Sequence, residues 1–335
     1  MPPGVDTLTH AFVPYAAYRW GGRPSRQRLA AAMGGLAPDL DAFWAWMSHA
    51  HEYAYPLVHR GFSHTLWGAP LLATGFLFLL TRPVLRKRWK RFEAFAWTPD
   101  VLAPLWVGAW THLLLDGLTI TGTPLLWPFD DARFTTDWFF FGVLSLMPLS
   151  LFLWIQVFRG KASDRFVRGG AIAMALLLAI SGAVRAYAYP RDLAGDEDVT
   201  PGPNEWTWIV SQRNASGVLV YDTQWGGRVA HRLFLPEANR TAAQAAIGAC
   251  AARPGHLPWN WYLGGLPVVN ATRRTDVGWS LEYDDSMWVF TDEFGTWGGL
   301  RSPAREASDP GRGAHCEFDP DGNAVFTRDR GWIGS

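Results

Sequence analysis

Long uncharged apolar runs occur only before Asp196. A bilayer core of about 30 Å calls for roughly 20 mostly apolar residues per helix, with about 17 as a lower limit. Residues 138–158 meet that requirement without a charge, residues 65–81 are shorter but also uncharged, and residues 169–184 extend to 189 if Arg185 snorkels toward the interface. Residues 101–115 continue past Asp116 through an apolar stretch to Trp127, and form a span only if His112 and Asp116 are tolerated near one end. Ahead of these, residues 9–18 and 29–36 are apolar helices too short to cross alone. They flank Arg19, Arg23, Arg26 and Arg28 and read as a helical hairpin, re-entrant or packed against the bundle.

After Asp196 the texture changes. Residues 192–203 are rich in acid, Gly and Pro and read as a linker. Residues 206–210, 217–221, 228–235, 279–283 and 287–291 carry strand patterns, 242–252 is an amphipathic helix, and the acidic Pro/Gly run at 319–323 is a turn between two final strands. The pattern predicts an all-α multi-pass membrane bundle of about four spans plus a short N-terminal helical hairpin, followed by a C-terminal α+β soluble domain. The corresponding divisions are 1–191 for the membrane-embedded domain, 192–203 for the linker and 204–335 for the α+β domain.

Charge sharpens this division. The 335 residues hold 30 basic and 30 acidic side chains, but residues 1–195 carry 18 basic and 12 acidic groups and the remainder the reverse. The basic residues fall in loops: Arg82, Arg86, Lys87, Arg88, Lys90 and Arg91 follow the first span, and Arg159, Lys161, Arg165 and Arg168 the third. By the positive-inside rule both loops are cytoplasmic, while Asp130, Asp131 and Asp137 face outward and the C-terminal domain emerges outside the cytoplasm. The same placement argues against reading 82–91 as a nucleic-acid patch, and no nucleic-acid partner is expected. Asp6 and His10 interrupt the start of the chain, so no cleavable signal peptide is expected. A hydrophobic content of 49% with two cysteines excludes disorder and a disulfide-dense miniprotein. Cys250 and Cys316 both fall in the C-terminal domain, as a disulfide or as two thiols.

Six of the nine histidines precede residue 113, and residues able to ligate a metal stand around them. His112 and Asp116 are four apart in a helical run and so share a face, where they either hold an ion or tie helices by a hydrogen bond. His59 and His64 bracket Arg60 and Gly61, whose glycine permits a tight turn. Two imidazoles on such a turn suit Zn, Mn or Fe, or are ordinary interfacial histidines. Asp39 and Asp41 follow Pro38 and are ligands or helix caps. His10 alone reads as a packed histidine. The predicted topology, however, brings His10, Asp39, Asp41, His59, His64, His112 and Asp116 to one membrane level, which favours a metal site. Zinc with an open position needs about three protein ligands, and the surplus suggests a second ion, about 3.5 to 4 Å from the first with a carboxylate bridging them. Such a site lowers the pKa of bound water to about 7. Asp41 is then a candidate general base, and Arg60 either a clamp for phosphate or an interfacial anchor.

Thr9-His10, Pro38-Asp39-Leu40-Asp41, His59-Arg60-Gly61-Phe62-Ser63-His64, His112 with Asp116, and Pro128-Phe129, in this order, resemble the YdjM-like family of membrane-bound metal-dependent hydrolases, which includes LexA-regulated inner-membrane members. The resemblance covers roughly residues 5–190. It implies a helical inner-membrane protein whose metal ligands are His10, Asp39, His59, His64, His112 and Asp116, with Asp41 as ligand or as support behind one. A more distant similarity to zinc phospholipase C and related single-strand nucleases is analogy alone. The function expected is hydrolysis of a phosphoester or lipid-linked substrate through a metal-activated water. The alternatives are a membrane metal transporter or sensor without hydrolase activity, and a membrane anchor for a binding domain.

Overall fold

The computed structural model describes residues 7–41, 60–88, 95, 97–120, 122–130, 132–139, 146–191, 193, 197–202, 206–213, 217–224, 228–236, 267–275, 278–285, 314–318 and 324–329. Two compact units divide the chain, one comprising residues 1–48 and 56–182, the other 49–55 and 183–335.

The first unit is helical. Helix α1 (Thr7–Trp20) turns back into α2 (Ser25–Leu36), as the hairpin pattern predicts. Gly22, at φ 66°, takes the left-handed position that ends α1, with Arg23 N–H donating to Tyr18 O and Gly22 N–H to Arg19 O. Helices α3 (Gly68–Leu80), α4 (Pro83–Arg88), α5 (Pro99–Asp116), α6 (Leu146–Phe158) and α7 (Asp164–Ala188) follow. Only α7, with 25 residues, is both long and apolar enough to cross a membrane among the described residues. At 1.5 Å per residue it measures about 37 Å. Helices α3 and α6 are apolar but 13 residues each.

Local chemistry explains these lengths. The first predicted span starts late because Thr65 Oγ1 accepts the Gly68 N–H at 2.8 Å, which leaves residues 62–64 as a separate 3₁₀ turn. Near the start of the third predicted span, Phe139 bridges to Thr119 in extended backbone. Helix α7 begins earlier than its apolar run because Ser163 Oγ accepts the Phe166 N–H.

Small residues set the packing. A Cβ built on Gly34 would stand 1.8 Å from Leu105 O, and one on Gly108 would stand 2.0 Å from Ala31 O, so α2 and α5 touch backbone to backbone. Fully buried Ala30, Ala31 and Ala109 continue this seam. On one side Ala69, Leu77, Leu105 and Leu113 form a core, and on the other Phe12, Tyr15, Leu153 and Trp154 form a second. Leu71, Leu79, Leu114, Leu151 and Ile172 remain exposed on the outer faces.

The second unit contains two four-stranded antiparallel sheets, ordered β1-β2-β3-β4 and β5-β6-β7-β8. Strands β2 (Trp208–Arg213), β3 (Gly217–Gln224), β4 (Arg228–Pro236) and β6 (Gly278–Asp285) overlap predicted runs. Strand β1 (Glu197–Pro201) lies in the segment read as linker, and its pairing with β2 supplies the order its composition lacks. Strands β5 (Pro267–Thr275), β7 (Ala314–Phe318) and β8 (Ala324–Asp329) complete the second sheet. The predicted helix 242–252, the strand 287–291 and Cys250 lie outside the described residues.

Arg185 does not snorkel. It is 2% exposed, donating from Nη1 to Thr207 O and from Nη2 to Gly202 O, each at 2.7 Å, while its guanidinium lies over Trp208. The carbonyls at the edge of the first sheet give the charge a buried set of acceptors, a better solution than extension toward water.

Candidate metal centre

Four segments of the first unit deliver polar side chains to one buried chamber. His10 lies in the first turn of α1, and Asp39 and Asp41 on the 3₁₀ turn Pro38–Asp41 that follows α2. Arg60, Ser63 and His64 come from the turn before α3, and His112 and Asp116 from the last turns of α5. Every one of these side chains is buried. His59 lies outside the described residues.

The inner atoms converge on a point. His64 Nε2 lies 3.2 Å from His112 Nε2 and 3.2 Å from Asp116 Oδ2. His112 Nε2 lies 3.3 Å from Asp116 Oδ2 and 3.4 Å from Asp39 Oδ1, and His64 Nε2 is 3.9 Å from that same Asp39 oxygen. Zinc bonds of about 2.0–2.1 Å give a tetrahedron with edges of about 3.3–3.4 Å. The donors therefore fit one divalent ion.

Hydrogen bonding tests the fit independently. Both oxygens of Asp39, Asp116 Oδ2 and His10 Nδ1 have no hydrogen-bond partner. A buried carboxylate left so costs several kcal/mol unless a cation compensates it. This also removes helix capping as the described role of Asp39.

The outer atoms orient the inner ones. His112 Nδ1 donates to Gly35 O at 2.7 Å, which directs the Nε2 lone pair into the chamber. His64 Nδ1 is 3.3 Å from Asp41 Oδ2 and 3.0 Å from Ser63 Oγ, and Asp41 Oδ2 also accepts from Ser63 Oγ and, at 3.2 Å, from Arg60 N–H. Asp41 therefore stands behind His64. Arg60 Nη2 donates to Asp116 Oδ1 and Nη1 to Thr119 Oγ1, both at 2.8 Å. At 3% exposed it is no interfacial anchor.

The left-handed residue of this turn is Arg60, at φ 62°, while Gly61 sits at φ −89°. The backbone strain falls on the residue whose side chain and amide both bind a carboxylate. His10 borders the outer oxygens, with Nδ1 3.7 Å from Asp39 Oδ2 and Nε2 3.8 Å from Asp116 Oδ1. His10, His112 and Asp116 make a second, overlapping donor group.

Sequence reasoning missed Gly35 and Thr119. Gly35 is part of a Gly-Gly pair inside a helix, a sign of close backbone approach. Thr119 stands three residues after Asp116, where its hydroxyl bonds to Asp116 O as well as to Arg60.

Residues 5–188, more than half the chain and all of the described site, match the family described as YdjM inner membrane protein. The chain belongs to the YdjM family. The bilayer is accordingly its environment, and the exposed apolar faces of α3, α5, α6 and α7 are surfaces such an environment requires. Both sheets of the second unit lie beyond the matched YdjM segment. No curated protein and no solved structure matches the chain.

Proposed function

We propose that this YdjM-family protein is a multi-pass, integral-membrane metal-dependent hydrolase acting on a phosphoester or lipid-linked substrate, with its C-terminal sheets outside the cytoplasm. The observation that carries the proposal is the set of buried Asp39 and Asp116 oxygens that have no hydrogen-bond partner yet face His64 Nε2 and His112 Nε2. Asp39, His64, His112 and Asp116 hold the ion, zinc by donor chemistry with manganese or iron as alternatives. The ion supplies Lewis acidity and eases deprotonation of water. Asp41 keeps the His64 ring in register, Arg60 fixes the outer oxygen of Asp116, and Gly35 O sets the His112 tautomer.

The test is metal analysis of detergent-purified protein together with a screen of phosphomonoester, phosphodiester and phospholipid cleavage. Wild type should carry metal and hydrolyse one class, and folded His112→Ala should lose both. Hydrolysis retained in that variant, or retained after chelation, overturns the reading.

A second reading, metal binding for sensing or transport without hydrolysis, is favoured by one feature: Asp39, His64, His112 and Asp116 offer four protein donors, as many as a closed structural site uses. Stoichiometric metal with no cleavage of any ester class would select it.

A further inference from the structure

Helix α1 carries His10 in its first turn and Arg19 nine residues on, about 14 Å away at 1.5 Å per residue. At that far end Arg19 pairs with one carboxylate, Asp164, and arginines of two other helices lie within electrostatic range of it. Arg19 Nε lies 2.7 Å from Asp164 Oδ1, and its Nη2 donates to Ala162 O at 2.5 Å, closing the end of α1 onto the turn between α6 and α7. Arg28 of α2 and Arg168 of α7 both stand near enough to act on the charge of Asp164. Arg168 is also held against Trp20, its Cζ 5.8 Å from the ring centroid and its Nη2 reaching Trp20 O at 3.5 Å.

One arginine would neutralise Asp164. Topology accounts for basic residues in these loops but not for their convergence on a single carboxylate. The excess positive charge suits a phosphate, which guanidinium groups bind through paired N–H donors. The rim is apolar: Trp20 is 49% exposed and Phe158 65% exposed, and α7, the helix long enough to cross a bilayer, starts at Asp164. A phosphate bound here would have acyl chains alongside the exposed Ile172 and Leu176 of the same helix.

We propose that Arg28 and Arg168, set in place by the Arg19–Asp164 pair, bind the headgroup phosphate of an anionic phospholipid. This site is separate from the metal centre and does not depend on the hydrolase reading.

The experiment uses the full chain in detergent, offered phosphatidylglycerol, phosphatidylcholine or inorganic phosphate, with binding read by native mass spectrometry and by the thermal midpoint. Phosphatidylglycerol should bind at least about tenfold more tightly than phosphatidylcholine and raise the midpoint, and added salt should erode that preference. Arg28→Gln combined with Arg168→Gln should abolish the preference while metal content and circular dichroism stay as in wild type. Equal binding of the two lipids, or an unchanged preference in the folded double variant, overturns the proposal. So does inorganic phosphate competing on equal terms, which would assign the site to a free anion. If the double variant does not fold, the wild-type salt titration decides, and a preference indifferent to salt overturns the proposal.

Discussion

His64 and His112 present their Nε2 atoms to each other at 3.2 Å, and the Nδ1 atom of each ring is engaged elsewhere, with Asp41 and with Gly35 O. Nitrogens at that separation share either a hydrogen bond or a cation, and the proposed metal centre supplies the cation. The expected outcome is about one divalent ion per chain in wild type and almost none in His112→Ala or His64→Ala, measured by elemental analysis. Chelation should lower the thermal midpoint of wild type by roughly 5 °C or more, because the ion stabilises only the folded chain. Two ions per chain would contradict the convergence on a single point.

Asp41 and Asp39 are chemically identical and two residues apart, yet only Asp39 turns an oxygen toward His112, while Asp41 is occupied by His64, Ser63 and the Arg60 amide. Asp39→Asn should therefore abolish metal binding. Asp41→Asn should weaken it by about 10–100-fold without removing the site, the range for groups that orient a ligating histidine. Competition with a chelator of known affinity measures both. Equal losses in the two variants would make Asp41 a direct ligand.

The sequence made the residue types of the site legible, because His112 and Asp116 share a helical face and the hairpin and first-span patterns bring His10, Asp39 and His64 to the same level. Their division into inner donors and outer supports was not legible. It depends on which oxygen of Asp116 faces Arg60 and on whether a carboxylate stands before or behind an imidazole, and spacing does not encode either. The location of the strain was also hidden, since Gly61 is the permissive residue but Arg60 is left-handed. In the fold, the short helices of the hairpin could be read from their apolar runs and Gly22, whereas β1 could not: its order comes from its partner β2, far from anything in its own composition. Arg185 misled for a related reason, because its carbonyl acceptors come from Gly202 and Thr207.

The backbone seam between α2 and α5 is coupled to the site through Gly35. A Cβ on Gly35 would stand 2.2 Å from His10 O, and the Gly35 carbonyl is the partner of His112 Nδ1. Gly35→Ala should therefore move both α1 and the ligand ring, costing about 1–3 kcal/mol of stability and lowering metal affinity together. Gly75→Ala, on the open face of α3 with nothing near its Cβ, should be neutral or slightly stabilising. Paired thermal unfolding and metal titration of the two variants check this, and a Gly35→Ala protein with wild-type metal affinity would break the proposed coupling.

The first sheet of the second unit carries its own pH dependence. Tyr221 on β3 donates its hydroxyl to Glu197 Oε1 on β1 at 3.1 Å, and burial, followed by the Glu197 carboxylate, pushes the phenol up to about 12. An unfolded tyrosine titrates near about 10. Because the folded value is the higher one, the interaction contributes its full stability below about pH 10 and loses it as the pH rises through about 12. Tyr221→Phe should be less stable than wild type at neutral pH and should show a shallower fall of the unfolding midpoint in the alkaline range. Glu197→Gln should leave the onset near about pH 10 but end the fall at lower pH and make it smaller, since without the carboxylate charge that opposes phenolate formation the folded value lies closer to the unfolded one. The other tyrosines are present in all three proteins, so differences between the curves isolate this pair. Parallel alkaline curves for wild type and Tyr221→Phe would show that the Tyr221–Glu197 contact contributes nothing to the stability of the sheet.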